Sequence, residues 1–271
     1  MNQGFVDRVV FVSQKAGQLL LKCRETGFTV GSKQGMEYVT EADLRSEEYL
    51  RESLTDLIPN SSFLGEESWD GVFPETPFWV VDPLDGTNNF AVGIPFFCVS
   101  IALVDNQGVC LGCIHDPVHA ETFIALREGG AFLNGKPITV SCAEKLSDVI
   151  VATGFPYTRT PADLTFDIDV LIRFLGKVRG VRRCGSAALD LAYTAAGRLG
   201  GFWEENLKPW DMAAGVLLVK EAGGLVSGFR EKNWSLLSKG VQCSSPGVWK
   251  EFCEQIESAP AETGALKFGL P

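Results

Sequence analysis

One stretch decides the fold: Phe78-Trp79-Val80-Val81-Asp82-Pro83-Leu84-Asp85-Gly86-Thr87-Asn88-Asn89-Phe90. Its apolar first part, residues 78–81, predicts a buried strand. The strand runs directly into two acids, Asp82 and Asp85, which are held apart by a proline. Carboxylates at the end of a buried strand are costly unless a cation balances them. A divalent metal is the simplest such cation, and a phosphate group is the simplest ligand to bridge it.

The composition is that of a soluble globular protein with an acidic balance. The chain has 271 residues, of which 45% are hydrophobic and 21% charged, and its formal net charge is -10. A nucleic-acid or anionic-membrane surface would need a basic patch, so we expect neither partner. A phosphorylated substrate is compatible with the acidic chain, because a bound metal inverts the local field.

The N-terminal residues do not have the pattern of a targeting signal. Asp7, Arg8 and Lys15 interrupt the apolar residues of this segment, unlike the apolar core of a signal peptide. No apolar run is long enough to span a bilayer. We therefore expect a cytoplasmic protein, in which the eight cysteines are reduced and mostly buried.

Two cysteines form a Cys-x-x-Cys motif, which can indicate a metal or redox site. Cys110 and Cys113 lie in a predicted strand at 109–114, where side chains three positions apart point to opposite faces. No second cysteine pair stands at zinc-ligand spacing. The pattern therefore argues against a metal or redox role for this pair.

Periodicity and turn signals predict helices and strands mixed along the whole chain. Thr40 and Asp43 resemble a capping box, with Asp in place of the usual Glu, at the start of a helix that ends near Leu57. Asn134-Gly135 is a hairpin signal between short strands at 131–132 and 138–140. The other predicted elements are an amphipathic helix containing Phe5, Val9, Val12, Ala16, Leu19 and Leu20, a polar loop at 27–37, strands at 97–104, 109–114, 122–125, 149–152, 181–184, 201–204, 225–227 and 241–244, and helices at 164–175, 187–196, 211–222 and 247–256.

This mixture predicts a layered α+β protein, with an antiparallel meander in its middle. We expect one catalytic unit over residues 1–258. Its N-terminal α+β half, about 1–145, contains most of the acidic motifs, and its C-terminal α/β half covers about 146–258. The helix at 164–175 places five apolar residues on one face, namely Leu164, Ile168, Leu171, Ile172 and Leu175. Residues 259–271 have the composition of a disordered tail.

Three acidic motifs, taken together, point to a family. They are Gly65-Glu66-Glu67-Ser68, Asp82-Pro83-Leu84-Asp85-Gly86-Thr87 and Trp210-Asp211-Met212-Ala213-Ala214-Gly215. Each alone has an ordinary explanation, since Asp marks turns and caps helices. In this order and at this separation they resemble the inositol monophosphatases, which are Mg²⁺-dependent, lithium-sensitive sugar phosphatases. The run Arg182-Arg183-Cys184-Gly185-Ser186-Ala187-Ala188-Leu189-Asp190-Leu191 resembles the bacterial branch, and the resemblance extends from about Phe5 to about Glu257.

The resemblance implies an α-β-α-β-α sandwich, a homodimer and a set of metal ligands. These ligands would be the carboxylates of Glu66, Asp82, Asp85 and Asp211 and the carbonyl oxygen of Leu84. Hard oxygen ligands suit Mg²⁺, and two or three ions are expected. Without metal, two such charges about 4 Å apart repel by about 4 kcal/mol at an effective dielectric constant of about 20.

The implied chemistry is attack by a metal-activated water, with no covalent enzyme intermediate. Glu66 and Thr87 would position and activate this water. Asp43 resembles a family acid that supports the Thr87 hydroxyl, although a helix cap alone also explains it. The amides of Gly86 and Thr87, at the start of a short helix, would hold phosphate oxygens.

Contacts to the rest of the substrate are implied less directly. Glu204 lies seven residues before Asp211, the spacing seen in the family, but it also fits a solvated acid at a strand end. Lys33, in the polar loop, resembles a mobile-loop lysine near a third metal, and an exposed lysine is the alternative. Arg183 could reach an interface or a substrate phosphate. The groups implied to contact a polyol ring are Asp85, Glu204 and the backbone of Gly185, Ser186 and Ala187.

The predicted function is Mg²⁺-dependent hydrolysis of inositol 1-phosphate. The ending Gly86-Thr87-Asn88-Asn89-Phe90 is more similar to inositol monophosphatases than to the histidinol-phosphate or nucleotide-phosphate branches. Fructose 1,6-bisphosphate, alone or beside inositol phosphate, is the alternative substrate. The alternative class is a non-catalytic regulatory or binding protein on the same scaffold. Such a protein would have no reason to keep the complete set of acids.

Overall fold

The computed structural model describes residues 2–32, 38–155 and 161–257. This part of the chain forms seven α-helices: α1 Gln3–Thr26, α2 Glu41–Leu57, α3 Thr87–Val92, α4 Pro161–Leu175, α5 Ala187–Ala195, α6 Pro209–Glu221 and α7 Trp249–Glu257. The same residues form fourteen strands: β1 Val30–Ser32, β2 Tyr38–Thr40, β3 Ser62–Gly65, β4 Phe78–Asp85, β5 Cys98–Asp105, β6 Gly108–Asp116, β7 Glu121–Leu126, β8 Gly130–Leu133, β9 Lys136–Pro137, β10 Ile150–Thr153, β11 Gly180–Arg182, β12 Gly201–Glu205, β13 Leu225–Gly228 and β14 Gly240–Ser244. Among the helices described, none combines the length and the apolar character that crossing a bilayer requires.

The strands form two large sheets and one small pair. The seven-stranded sheet has the order β3-β4-β5-β6-β7-β8-β9, with β3 parallel to β4 and every later pair antiparallel. The five-stranded sheet has the order β11-β10-β12-β14-β13, in which β10 pairs in parallel with both neighbours. Strands β1 and β2 pair with each other. The predicted antiparallel meander is confirmed.

The elements form five layers in the order α-β-α-β-α, which three hydrophobic cores hold together. Helices α1 and α2 cover the outer face of the seven-stranded sheet, with Leu20 and Trp79 in the shared core. Helices α5 and α6 lie between the two sheets, where Leu191 is fully buried. Helices α4 and α7 cover the far face of the five-stranded sheet, where the Phe174 and Trp203 rings stack at 4.1 Å. The layered sandwich predicted from the sequence is confirmed.

The middle helix α6 lies very close to its neighbours. A Cβ atom built at Gly112 of β6 would be 2.6 Å from the carbonyl oxygen of Ala214, so a side chain there would push α6 off the sheet. A Cβ at Gly215 would be 2.5 Å from the Cβ of Leu191 in α5. Because these approaches leave no space for a side chain, they fix the middle of α6 against β6 and α5.

The prediction that Cys110 and Cys113 face opposite sides was wrong. The pairing of β5 with β6 shifts register between Leu103 and Val104, which is a β-bulge that reverses the alternation. Both thiols consequently lie in the core under α1 and α2, and neither forms a disulfide. Burial raises the pKa of the Cys113 thiol to about 12, so this thiol is protonated and unreactive at neutral pH.

Helix α4 presents to solvent much of the face expected to pack. Among residues 168–175, whose side chains the structure describes, Val170 and Phe174 are fully buried, whereas Ile168, Ile172 and Leu175 are exposed. The side chain of Leu164 lies outside the described part of the helix. The helix is apolar around much of its circumference, so periodicity alone could not select the buried side. The predicted strand at 138–140 is likewise absent, because β9 ends at Pro137.

Candidate active site

The predicted site residues from both halves of the chain meet at one cavity of about 710 Å³. This volume is in the range of small-molecule sites. Asp43 lies behind the cavity wall, and Lys33 lies outside the described residues. The predicted residues that line the cavity are Glu66, Asp82, Leu84, Asp85, Gly86, Thr87, Arg183, Gly185, Ser186, Ala187, Glu204 and Asp211.

Strand β4 continues through the acidic motif, whereas the sequence predicted that it ends before the motif. Its pairing with β5 becomes irregular between Asp82 and Asp85, around a proline that has no amide hydrogen to donate. The Leu84 amide donates to Asp82 Oδ1 at 2.9 Å. Next to it, the amide of Glu66 donates to the carbonyl oxygen of Val81 at 3.1 Å. These bonds hold the first two acidic motifs side by side.

A glycine turns the chain from β4 into α3. Gly86 has φ of 95°, a left-handed conformation that favours glycine. A Cβ atom at this position would also be 2.9 Å from the carbonyl oxygen of Phe96. The turn delivers Thr87 to the first position of α3, next to the acids.

Thr87 connects the carbonyl of Leu84 with Asp43 of α2. The Thr87 hydroxyl lies 2.9 Å from the Leu84 carbonyl oxygen and 3.1 Å from Asp43 Oδ1. A hydroxyl has one hydrogen, so it donates fully to only one of these acceptors at a time. Asp43 Oδ2 accepts the amide and the hydroxyl of Thr40 at 2.7 and 2.6 Å. Asp43 therefore caps α2 with one oxygen and reaches Thr87 with the other.

Asp85 is held by the N-terminus of α5. Its Oδ2 accepts hydrogen bonds from the Ser186 hydroxyl and the Ala188 amide, each at 2.7 Å. A carboxylate is favoured at a helix N-terminus, where amides point outward. The Ser186 hydroxyl is thus engaged with a predicted metal ligand, whereas the substrate contact predicted at residues 185–187 is one of the backbone.

Asp211 lies in the first turn of α6, which is fixed from two sides. Its Oδ2 accepts the Lys208 amide at 2.6 Å. The carbonyl of Trp210 accepts a hydrogen bond from Ser100 of β5 at 3.2 Å. The Trp210 ring also meets the edge of Trp69, with ring centroids 5.4 Å apart. The third acidic motif is therefore anchored to the sheet and to the loop that follows the first motif.

The acids repel one another in the absence of a cation. Burial, followed by repulsion from Glu66, Asp85 and Asp211, raises the pKa of Asp82 well above its ordinary value. The pKa of Asp211 is raised well above its ordinary value by burial and by repulsion from Asp85 and Glu66. Burial also raises the pKa of Asp85, although its bonds to α5 oppose this. Such like-charged groups are stabilised by bound cations.

The donor set fits a hard divalent cation. Within the described residues, no three His, Cys, Asp or Glu side chains are already grouped closely enough to hold a metal ion. The acids therefore line one cavity but are not clustered around a single point. Asp82 and Asp211 each give one oxygen to a backbone amide. The other oxygen of each accepts no hydrogen bond from this part of the chain, which leaves it available to a cation. Buried carboxylates with such free oxygens are the ligands that Mg²⁺ prefers.

Another buried acid, to which the sequence assigned no role, lies near Glu204 of the cavity lining. Asp190 of α5 is fully buried, and its Oδ1 has no hydrogen-bond partner within the described residues. Burial and repulsion from Glu204 raise its pKa well above the ordinary value. A Cβ at Gly154 would be 1.9 Å from Glu204 Oε2, so the Glu204 carboxylate lies directly on that glycine. The position of Asp190, one turn after the cap Ser186, was the available signal.

Comparison with known proteins agrees with this geometry. The family model described as "Inositol monophosphatase family" matches residues 6–261. The chain belongs to the inositol monophosphatase family. An inositol-1-monophosphatase of Rhizobium meliloti is 41% identical over 84% of this chain and 86% of its own length. A Pseudomonas aeruginosa protein named Nus factor SuhB is 41% identical over 84% of this chain and 86% of its own.

A solved structure shows the same fold. The extragenic suppressor protein SuhB of Bartonella henselae has a TM-score of 0.89 and 37% identity, over 95% of this chain and 100% of that one. This member of the inositol monophosphatase family therefore shares its whole layered architecture with a solved relative. Asn89, unassigned in the sequence, ties the site of this family member together. It donates to the carbonyls of Phe96 at 2.7 Å and Cys184 at 2.9 Å.

Proposed function

We propose that this protein is a Mg²⁺-dependent phosphomonoesterase that hydrolyses inositol 1-phosphate to inositol and phosphate. The observation that carries the proposal is the meeting of four carboxylates from three distant motifs on one cavity. The family is generally metal-dependent, and relatives named inositol monophosphatase support the substrate.

The proposed metal ligands are the acids of the three motifs and one carbonyl. Glu66, Asp82, Asp85, Asp211 and the Leu84 carbonyl oxygen would hold two or three Mg²⁺ ions. When bound, Mg²⁺ supplies positive charge to the phosphate and lowers the pKa of water. The proposal is supported by the raised pKa values of Asp82 and Asp211, which reflect burial first and then repulsion from the neighbouring acids.

Thr87 and Asp43 are proposed to move the proton of the attacking water. If the Leu84 carbonyl is a ligand, Asp43 Oδ1 is the acceptor that remains for the Thr87 hydrogen, at 3.1 Å. The lone pairs of Thr87 Oγ1 then accept a proton from water while its own hydrogen passes toward Asp43. Glu66 orients the same water from the neighbouring turn. The amide and hydroxyl of Thr40, which donate to Asp43 Oδ2, hold the Asp43 carboxylate in this orientation.

Different residues of the cavity are proposed to recognise different parts of the substrate. The amides of Gly86 and Thr87 would hold phosphate oxygens at the start of α3. Glu204 and Arg183 line the same cavity, where Glu204 would contact polyol hydroxyls and Arg183 could reach a substrate phosphate. Asp85 and the turn at 185–187 also line the cavity, and Asp85 and the backbone of this turn would contact the polyol ring.

A substrate panel with matched variants tests the proposal. Phosphate release should require Mg²⁺, stop with EDTA and be lost in Asp85→Asn, while Asp56→Asn, a change of an exposed aspartate, should be fully active. The panel contains inositol 1-phosphate, fructose 1,6-bisphosphate, histidinol phosphate and nucleotide monophosphates. Faster turnover of fructose 1,6-bisphosphate would establish the alternative substrate.

A non-catalytic role is the second candidate class. One relative is named a Nus factor, and this name supports a binding or regulatory function as the alternative. Release of phosphate from no compound of the panel by metal-loaded protein would support that class and contradict ours. The net charge of -10 does not favour direct contact with nucleic acid.

Inhibition by lithium and assembly as a homodimer are further proposals that follow from the family. Titration of LiCl into the phosphate-release assay and sedimentation velocity on the purified chain would check them. Sedimentation of the chain as a monomer would contradict the homodimer, and activity unaffected by LiCl would contradict lithium inhibition.

A further inference from the structure

The first turns of α2 carry buried polar side chains on the face that packs against the seven-stranded sheet. Asp43, Ser46 and Glu47 are at most 5% exposed, and their spacing places them on one face of the helix. Leu50 and Leu54 continue this face and are fully buried. Helices normally fill such a face with apolar residues, so each polar side chain needs a specific partner.

Ser46 contacts the turn of β4 next to a proposed ligand. Its hydroxyl donates to the carbonyl oxygen of Pro83 at 2.9 Å. Asp43, three residues earlier, reaches Thr87 at 3.1 Å. The two contacts lie on either side of Leu84, so α2 restrains the direction of the Leu84 carbonyl.

Glu47 contacts the turn that carries Glu66. Its Oε2 accepts the Glu67 amide at 2.8 Å, and its Oε1 accepts a hydrogen bond from Arg51 at 3.1 Å. A Cβ at Gly65 would be 2.4 Å from Glu47 Oε2, so the glycine makes room for the carboxylate. The Glu66 amide is itself bonded to β4. The backbone on both sides of the Glu66 side chain is therefore fixed.

We propose that Glu47 is a positioning residue for metal binding, which fixes the turn that carries Glu66. This inference rests on the proposed role of Glu66 as a ligand. A hydrogen bond from an amide to a buried carboxylate is stronger than one between neutral groups. Loss of such outer contacts typically weakens metal affinity or activity by about 10- to 100-fold. A simple tie between α2 and β3 would change stability and leave metal affinity unaltered.

Glu47→Ala is compared with Glu48→Ala, which removes an exposed glutamate of the same helix. Calorimetric titration with MgCl₂ alone measures metal affinity without substrate, and hydrogen exchange of residues 62–69 reports on the turn. We expect Glu47→Ala to weaken Mg²⁺ binding by about 10- to 100-fold and to speed exchange, and Glu48→Ala to change neither. Glu47→Gln keeps an acceptor for the Glu67 amide and should weaken binding by about fivefold. If Glu47→Ala does not fold, the Mg²⁺ affinity of Glu47→Gln tests the positioning role.

The proposed role of Glu47 would be overturned if Glu47→Ala lowered the melting temperature but left the Mg²⁺ affinity unchanged. If Glu47→Ala does not fold, the same result in Glu47→Gln would overturn it. Phosphate release by the wild-type chain is measured separately. A wild type that binds Mg²⁺ but releases no phosphate contradicts the proposed function, while the calorimetric comparison still decides the role of Glu47. A wild type that binds no Mg²⁺ contradicts both.

Discussion

The two contacts of Asp43 can be separated by substitution. One oxygen of Asp43 accepts two bonds from Thr40, at 2.7 and 2.6 Å, and the other accepts the Thr87 hydroxyl at 3.1 Å. Thr40→Ala removes the Thr40 side chain from the cap and leaves the contact to Thr87. Asp43→Asn keeps the size of the side chain but removes the charge that receives the Thr87 hydrogen.

The expected sizes of the two effects differ clearly. Loss of a helix N-cap costs about 1 kcal/mol, which lowers the melting temperature by about 2–4 °C in a protein of this size. Thr40→Ala should show this change with kcat near the wild-type value. Asp43→Asn should lower the melting temperature by a similar amount and kcat by about 100-fold, as for groups that assist proton transfer.

The assay is phosphate release from inositol 1-phosphate at saturating Mg²⁺, with the melting temperature measured on the same samples. Thr87→Val should lose as much kcat as Asp43→Asn, and the double variant should lose little more, because the two side chains act as a unit. An equal loss of kcat in Thr40→Ala and Asp43→Asn would refute the reasoning, since Asp43 would then act only through the cap.

Three further outcomes are expected. In a chelator, the free energy of unfolding should fall as pH rises, because acids with raised folded-state pKa values bind protons more readily in the folded than in the unfolded chain. This loss of stability starts above the pKa of an aspartate in the unfolded chain, about 3.9. It is complete above the raised pKa values of Asp82 and Asp211 in the folded chain. Melting curves from pH 5 to 8 check this, and a slope that Mg²⁺ does not reduce would contradict it. Asp211→Asn should raise the melting temperature in a chelator at pH 8 and abolish phosphate release, whereas a lower melting temperature would show that the hydrogen bond from Lys208 to Asp211 outweighs the repulsion among the acids. Glu204→Gln should raise KM for inositol 1-phosphate by about 10-fold, from loss of a charged hydrogen bond, and leave KM for phenyl phosphate unchanged; equal changes for both substrates would remove Glu204 from polyol recognition.

The sequence predicted the parts of the site that depend on neighbouring residues. The capping box of Thr40 and Asp43 follows from their spacing, and α2 begins and ends where expected. The turn at Gly86 follows from the chemistry of glycine, and its φ of 95° agrees. Contacts across the chain were accessible only through resemblance. Nothing local shows that Asp85 is bound by Ser186, which is 101 residues away.

The sides on which other residues are buried depend on packing between distant elements, which local sequence patterns do not encode. A single bulge moved Cys110 to the side of Cys113, because alternation holds only while strand register is regular. Helix α4 buried Val170 in preference to Ile168, a choice made by the neighbouring sheet. The strand pair β1–β2 and strand β3 were too short to give a period.

The bonds from α5 to Asp85 also constrain the order in which the protein is assembled. They join residues 101 and 103 positions apart. Closing so long a loop costs conformational entropy, and only later packing offsets this cost. During synthesis the acids of β4 leave the ribosome long before Ser186 exists. The nascent N-terminal half therefore cannot fully seat Asp85, and the finished cation site forms only when the helical layer between the two sheets closes.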